Sequence, residues 1–220
     1  RLQRGATYRV GSDLLIPSNL DLDGQGATIT THSSWTNGGD ADDRTDCMLR
    51  ARGALAGSAT QLAATVPRGA NSISVDSATG IVAGSYLRIS GDYTGDAPNG
   101  DSFTGQAIEI VQVASTYVSG TTLPLAWSTQ VHHADNNAVQ RWVPVENVRI
   151  SNLTIDAGAK TVPVGIELTG ALNVQLHNVT TVGFSRADID CSVAQDVLIT
   201  DHTCLGGSNG GLRTTNSHNV

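Results

Sequence analysis

The pair Asn147-Val148 recurs as Asn173-Val174, Asp196-Val197 and Asn219-Val220, at steps of 26, 23 and 23 residues. A unit this short cannot bury its apolar face alone, so it must stack on its neighbours. Within each round, apolar residues alternate with polar ones: Val148 and Ile150 correspond to Val174 and Leu176, then to Val197 and Ile199. Period two is the mark of a strand with one buried face. Short strands broken by turn residues, one round per 23 residues, predict an all-β solenoid of parallel β-helix coils. The longer first step places its extra residues near Lys160. The regular frame of a leucine-rich repeat is absent, and the β-branched, Gly-rich content excludes ankyrin-like helical repeats.

The register extends to a second strand. Ile166, Ile189 and Leu212 are spaced 23 apart, as are Leu168, Cys191 and Thr214. Both sets read as inward stacks. Glu167, Asp190 and Arg213 lie between them, and alternation sends these charged residues outward on successive rungs. Asp188 adds a second acid on the middle rung, and its counterparts Gly165 and Gly211 leave open space beside it. Adjacent rungs stand about 4.8 Å apart, so Glu167 and Asp190 would be close enough to act as acid and nucleophile in a retaining glycosidase. Mutual repulsion would help one of them keep a proton. Arg213 could hold a uronate carboxylate. The competing reading is a surface ladder of Glu, Asp and Arg with no chemistry. Asn152, Asn178 and Asp201 fall at one corner, where short amides can bond the local backbone or one another along the stack.

Gly5-Ala-Thr-Tyr8, followed by Leu14-Ile-Pro-Ser-Asn-Leu-Asp-Leu-Asp-Gly-Gln-Gly-Ala-Thr-Ile29, resembles the opening of pectate-lyase-like right-handed β-helix proteins. That superfamily includes phage tailspikes, pectin- and alginate-acting lyases, glycoside hydrolases and epimerases, and the tailspikes are the most similar of these. The resemblance covers the opening segment and the last coils, about half the chain. It implies a right-handed helix, a bacterial surface polysaccharide as partner, a homotrimer, and a place in a virion tail or outside the cell. Catalytic residues of such proteins project from a strand face, as Glu167, Asp190 and Asp188 do here. None of the diagnostic motifs of the pectin-cleaving families is present.

Three segments are expected: residues 1–56 as the first coils, 57–128 as an inserted β-rich subdomain, and 129–220 as further coils. The insert interrupts the repeat with strand patterns at 61–66, 71–75, 86–90, 107–114 and 117–125. The stretch 91–103 reads as a long polar loop in which Asp92, Asp96 and Asp101 could hold calcium. Asp40, Asp42, Asp43 and Asp46 offer a second acidic loop without the ordered EF-hand pattern. Apart from these, no cofactor is expected. Trp35 could stack on a sugar or seal the end of the helix, and Tyr93 could contact a glycan. His132 and His133 are adjacent, so on an extended strand they face opposite ways and make poor joint ligands. His177 reads as outward, and His202 as a half-buried ring with a hydrogen bond. Cys191 and Cys204 read as buried free thiols.

The net charge is -7, with lysine only at position 160. A basic patch is lacking, so nucleic acid is not an expected partner. Nor does any apolar run reach the roughly 20 residues that span a bilayer. The chain starts at Arg1 and stops inside a coil, which suggests a piece of a longer protein. The functional reading is a tailspike-like protein that binds and cleaves a polysaccharide by hydrolysis or elimination. The alternatives are a virion structural protein or adhesin that binds glycan without turnover, and a secreted pectate-lyase-like enzyme or uronate epimerase.

Overall fold

The computed structural model describes residues 1–36, 46–96, 102–207, 211–215, 217 and 220, with the backbone alone described at 92–96 and 102–107. Two compact units emerge: 1–53 together with 144–220, and 54–143.

The first unit is the parallel β-helix. Its long strands Asp21–Thr31, Val145–Asp156 and Ala171–Val182 lie side by side, flanked by Thr7–Val10 on one edge and by Gln195–Thr200 and Thr203–Leu205 on the other. Its short strands form a second sheet in the order Leu14–Leu15, Cys47–Arg52, Val164–Thr169, Ala187–Ser192, Leu212–Thr215. Every pairing within these two sheets is parallel, and the register is the expected one: Val148 opposite Val174 opposite Val197, and Ile166 opposite Ile189 opposite Leu212.

Two of the long strands, Val145–Asp156 and Ala171–Val182, carry an asparagine in the left-handed region at the same place, and Asp21–Thr31 has Gln25 there with φ 52°. Asn152 and Asn178 both have φ 51°, and Asp201 follows with φ 54°. Asparagine tolerates this conformation because its short polar side chain can bond locally. The bond here runs between coils. Asn178 Nδ2 donates to Asn152 Oδ1 at 2.8 Å, and Asn152 Nδ2 donates to Asp23 Oδ1 at 3.1 Å. A parallel ladder joins Asn173 to Asn147 and Asn147 to Asn19, at 2.8 and 3.1 Å. Two amide columns therefore fix the corners while the apolar stacks fill the inside. That core contains Val148, Ile150, Leu153, Ile155, Ile166, Leu168 and Phe184.

The second unit begins where Cys47–Arg52 ends. In later coils this corner is made in place: Gly170 N donates to Ser192 O and Val193 N to Thr215 O, as Gly53 N does to Thr169 O. After Gly53 the chain instead runs through 54–143 before Val145 resumes the coil. The unit holds an antiparallel sheet in the order Ala54–Gln61, Ala138–Val143, Tyr86–Asp96, Ser102–Gln112, plus the pair Ser72–Ser74 and Thr122–Pro124. Its own core is built on Leu62, Ile73, Leu87, Ile89, Val111, Leu123 and Val139.

Where it is described, the stretch read as a polar loop continues two paired antiparallel strands, Tyr86–Asp96 and Ser102–Gln112. Asp92 faces Gln106 and Asp96 faces Ser102 across the ladder. This corrects the calcium expectation for Asp92, Asp96 and Asp101. Four residues along a strand separate two positions by roughly 13 Å, too far to share one ion, and Asp101 lies outside the described residues. Among the described residues no group of three or more His, Cys, Asp or Glu could hold a metal. Asp40, Asp42 and Asp43 lie outside them too. A second difference concerns 117–125, where only Thr122–Pro124 is a strand.

Candidate functional site

The rung pairing places Glu167 between Arg50 and Asp190, with Arg213 next to Asp190 on the following strand. These residues were expected to point into solvent. Glu167 and Asp190 are instead buried, 5% and 2% exposed, and only Arg213 is open to water. The charges are compensated within the cluster. Arg50 Nε lies 3.1 Å from Glu167 Oε2, and its Nη1 lies 3.3 Å from Asp13 Oδ2. Thr169 Oγ1 donates to Glu167 Oε1 at 2.7 Å, and the Cys47 thiol donates to Glu167 Oε2 at 3.4 Å. Asp190 Oδ2 meets Arg213 Nη1 at 3.1 Å and Arg186 Nη2 at 3.6 Å. Sequence reasoning missed Arg50, Arg186 and Asp13. Arg50 carried a usable signal, because Met48-Leu-Arg50-Ala51 aligns with Gly165-Ile-Glu167-Leu168 once the insert is removed.

Burial sets the electrostatics. It raises the carboxyl pKa of Asp190 above the ordinary value; Arg186 and the Ser192 hydroxyl pull it down, and Glu167 pushes it up again. The Cys47 thiol is pushed up to about 12, chiefly by burial and then by Glu167, so it is a neutral donor at neutral pH. For Arg50, burial works against the charge, but Cys47 first and then Glu167 and Asp13 more than offset it, and the pKa is raised.

Asp188 does not join this cluster through any described contact. Its Oδ2 accepts from Cys204 Sγ at 2.7 Å, and its buried Oδ1 has no hydrogen-bond partner among the described residues. Cys204, expected to be buried, is exposed. Nor is there open space at Gly165: a Cβ there would stand 2.6 Å from the Asp188 carbonyl oxygen and 3.0 Å from the Phe184 ring. Phe184 is itself buried in the coil core. Gly165→Ala is therefore expected to destabilise the coil unit by about 1–3 kcal/mol through overpacking. Chemical denaturation measures this, and an unchanged midpoint would contradict it.

The remaining candidates separate. Trp35 is 8% exposed and packs in the coil core. Tyr93 sits on the Tyr86–Asp96 strand opposite Gly105, and its side chain lies outside what is described. His177 is exposed beside Thr200 and Asp201. His202 is half-buried, with Nε2 2.9 Å from Thr181 Oγ1, and burial lowers its pKa. His133 is fully buried, with Nε2 2.9 Å from Glu109 Oε2.

A second place on the coil unit was not foreseen. A groove of about 660 Å³ opens over the asparagine corner, lined among others by Arg4, Asp23, Asn152, Thr154, Asn178 and Thr180. Thr28, Thr154 and Thr180 stand in register on adjacent rungs. The Asp23 carboxyl is held below its ordinary pKa, first by the Asn152 amide and then by the Gln25 N–H. This lining offers hydroxyls, amides, one carboxylate and one guanidinium, which is the inventory that binds polyols. The signal was in the sequence as Thr154 and Thr180, 26 residues apart. It went unread because threonine at an outward strand position is ordinary.

No protein-family profile and no curated protein matches the sequence. Solved structures do match. The tailspike protein gp49 from Pseudomonas phage LKA1 is 22% identical over 89% of this chain, with a TM-score of 0.65. The fold is the parallel β-helix that this tailspike also has. The tailspike gp61 of Pseudomonas phage phi297 is similar across 95% of the chain, with a TM-score of 0.52 and 14% identity. The chain spans about a third of the length of these two proteins, 31% and 38%. Among the described residues no helix is long and apolar enough to cross a membrane.

Proposed function

We propose that this tailspike-like β-helix binds a bacterial surface polysaccharide along its coils, on a virion tail or outside the cell, as a homotrimer. The observation that carries the reading is the open groove over the asparagine corner, whose lining is polar and repeats from rung to rung. A groove lined mainly by amides and hydroxyls suits a hydroxyl-rich chain better than an apolar ligand. Purified protein incubated with a panel of bacterial capsular and O-antigen glycans should retain at least one of them. Retention of none would remove the reading. Light scattering that gives a monomer for the full-length protein would remove the trimer alone.

A second reading, cleavage of the bound glycan at Glu167 and Asp190, is favoured by one feature. Asp190 has its pKa raised by burial beside a second carboxylate, as a proton-holding acid requires. Product mass separates the two chemistries: an unsaturated end marks elimination, an added water marks hydrolysis. A panel member that is bound but never shortened supports the adhesin.

A further inference from the structure

The groove differs from the acid–arginine cluster in one respect that bears on its ligand. Its one cationic side chain, Arg4, is exposed and makes no ion pair or side-chain hydrogen bond among the described residues. In a chain of net charge -7, most arginines near carboxylates have a use already. Arg50, Arg186 and Arg213 each face an acid within 4 Å. The carboxylate in the groove, Asp23, is committed elsewhere: it accepts from Asn152 Nδ2 and from Gln25 N, at 3.1 and 3.0 Å. Arg1 supplies it with a nearby positive charge. Arg4 is thus an uncommitted guanidinium at the edge of a polyol-binding surface.

The direction of the groove follows from its lining. Asp23, Asn152 and Asn178 occupy one corner of three successive rungs, and Thr154 and Thr180 repeat two positions along. Equivalent groups therefore recur along the helix axis about every 4.8 Å, close to the length of one pyranose residue. A polymer laid along the axis meets the same hydroxyl and amide set at each sugar. A polymer laid across it meets them once.

We propose that this groove binds an acidic polysaccharide lengthwise, with the carboxylate or other anionic substituent of one residue on Arg4 and the hydroxyls of the following residues on Thr154 and Thr180. This rests on the glycan-binding reading above and adds the charge, the position and the direction of the ligand. A guanidinium forks onto a carboxylate with two parallel hydrogen bonds, so it selects anionic sugars over neutral ones.

The test uses the whole protein with acidic capsular polysaccharides, the same polymers after carboxyl reduction, and neutral dextran. Arg4→Gln is expected to weaken binding of the acidic polymers about 10- to 100-fold, the range for losing a hydrogen bond to a charged group. Carboxyl reduction should cost the wild type a similar factor and cost Arg4→Gln nothing further. Added salt should weaken wild-type binding more than that of the variant. Thr180→Trp, which fills the groove from an outward position, should abolish binding of both. Thermal melting checks that the variants remain folded. Binding of neutral and acidic polymers with equal affinity, or binding indifferent to Arg4→Gln and Thr180→Trp, overturns the inference and leaves polysaccharide binding standing. Failure of the wild type to bind any polymer overturns both.

Discussion

Replacing Arg50 with alanine is expected to destabilise the coil unit by about 3–5 kcal/mol, the range for removing one partner of a buried ion pair. Arg50 is 8% exposed and Glu167 5%. The guanidinium lies 3.1 Å from Glu167 and 3.3 Å from Asp13, so it neutralises a carboxylate that burial has stripped of water. The Thr169 hydroxyl and Cys47 thiol remain as donors to Glu167 in the variant. Neither carries a charge, because the thiol pKa stands at about 12. Arg50→Lys should recover only part of the loss, since an ammonium cannot reach Glu167 and Asp13 with one planar fork. Glu167→Gln in the Arg50→Ala background should recover more, because it removes the stranded charge rather than its partner. A double-mutant cycle on denaturant midpoints reads the coupling. A loss below about 1 kcal/mol for Arg50→Ala would show an exposed-type pair, and the cluster would then be no fixed feature of the coil.

The coil register was legible because stacked rungs repeat the same choice. Ile166, Ile189 and Leu212 had to be apolar for one physical reason, and their spacing records it. The corner asparagines were legible for a related reason. Only a few residue types tolerate the left-handed bend, and of those the side-chain amide of asparagine can both donate and accept along a column. The environment of the outward residues was not legible. Alternation assigns Glu167 and Asp190 to a face, but burial of that face depends on Arg50, Asp13 and Arg186, which come from other parts of the chain. Asp188 shows a further limit. Two positions from Asp190 it should share its side, yet its carboxylate bonds Cys204, and Gly165 opposite it is closed by Phe184. The strand ends that reach Asp96 and Ser102 were misread as loop because Gly91 and Gly95 look like turn residues. In the structure, long antiparallel pairing overrides that local preference.

Glu167→Gln and Asp190→Asn separate catalysis from plain structure, because the two readings predict opposite outcomes. If the pair turns over the bound glycan, each substitution should lower the rate by about 10²- to 10⁴-fold, the usual contribution of a positioned acid or base. Asp190 is the candidate acid, since burial raises its pKa, and Glu167 is the candidate nucleophile on the neighbouring rung. The pair is 5% and 2% exposed, so a polymer would have to displace its cover, and Arg213, 46% exposed at its side chain, is the most open member. The structural reading predicts no change in rate but a change in stability with pH. An acid whose pKa is higher folded than unfolded binds its proton more tightly when folded. Its contribution is therefore favourable below the unfolded value and is lost as pH rises through the folded value. Asp190→Asn should flatten that part of the stability profile, above the ordinary aspartate range, whichever role the residue has. Turnover alone then decides. Full activity of the double variant on a glycan that the parent cleaves would retire the pair as a catalytic site and leave it as a buried ion cluster that holds adjacent coils in register.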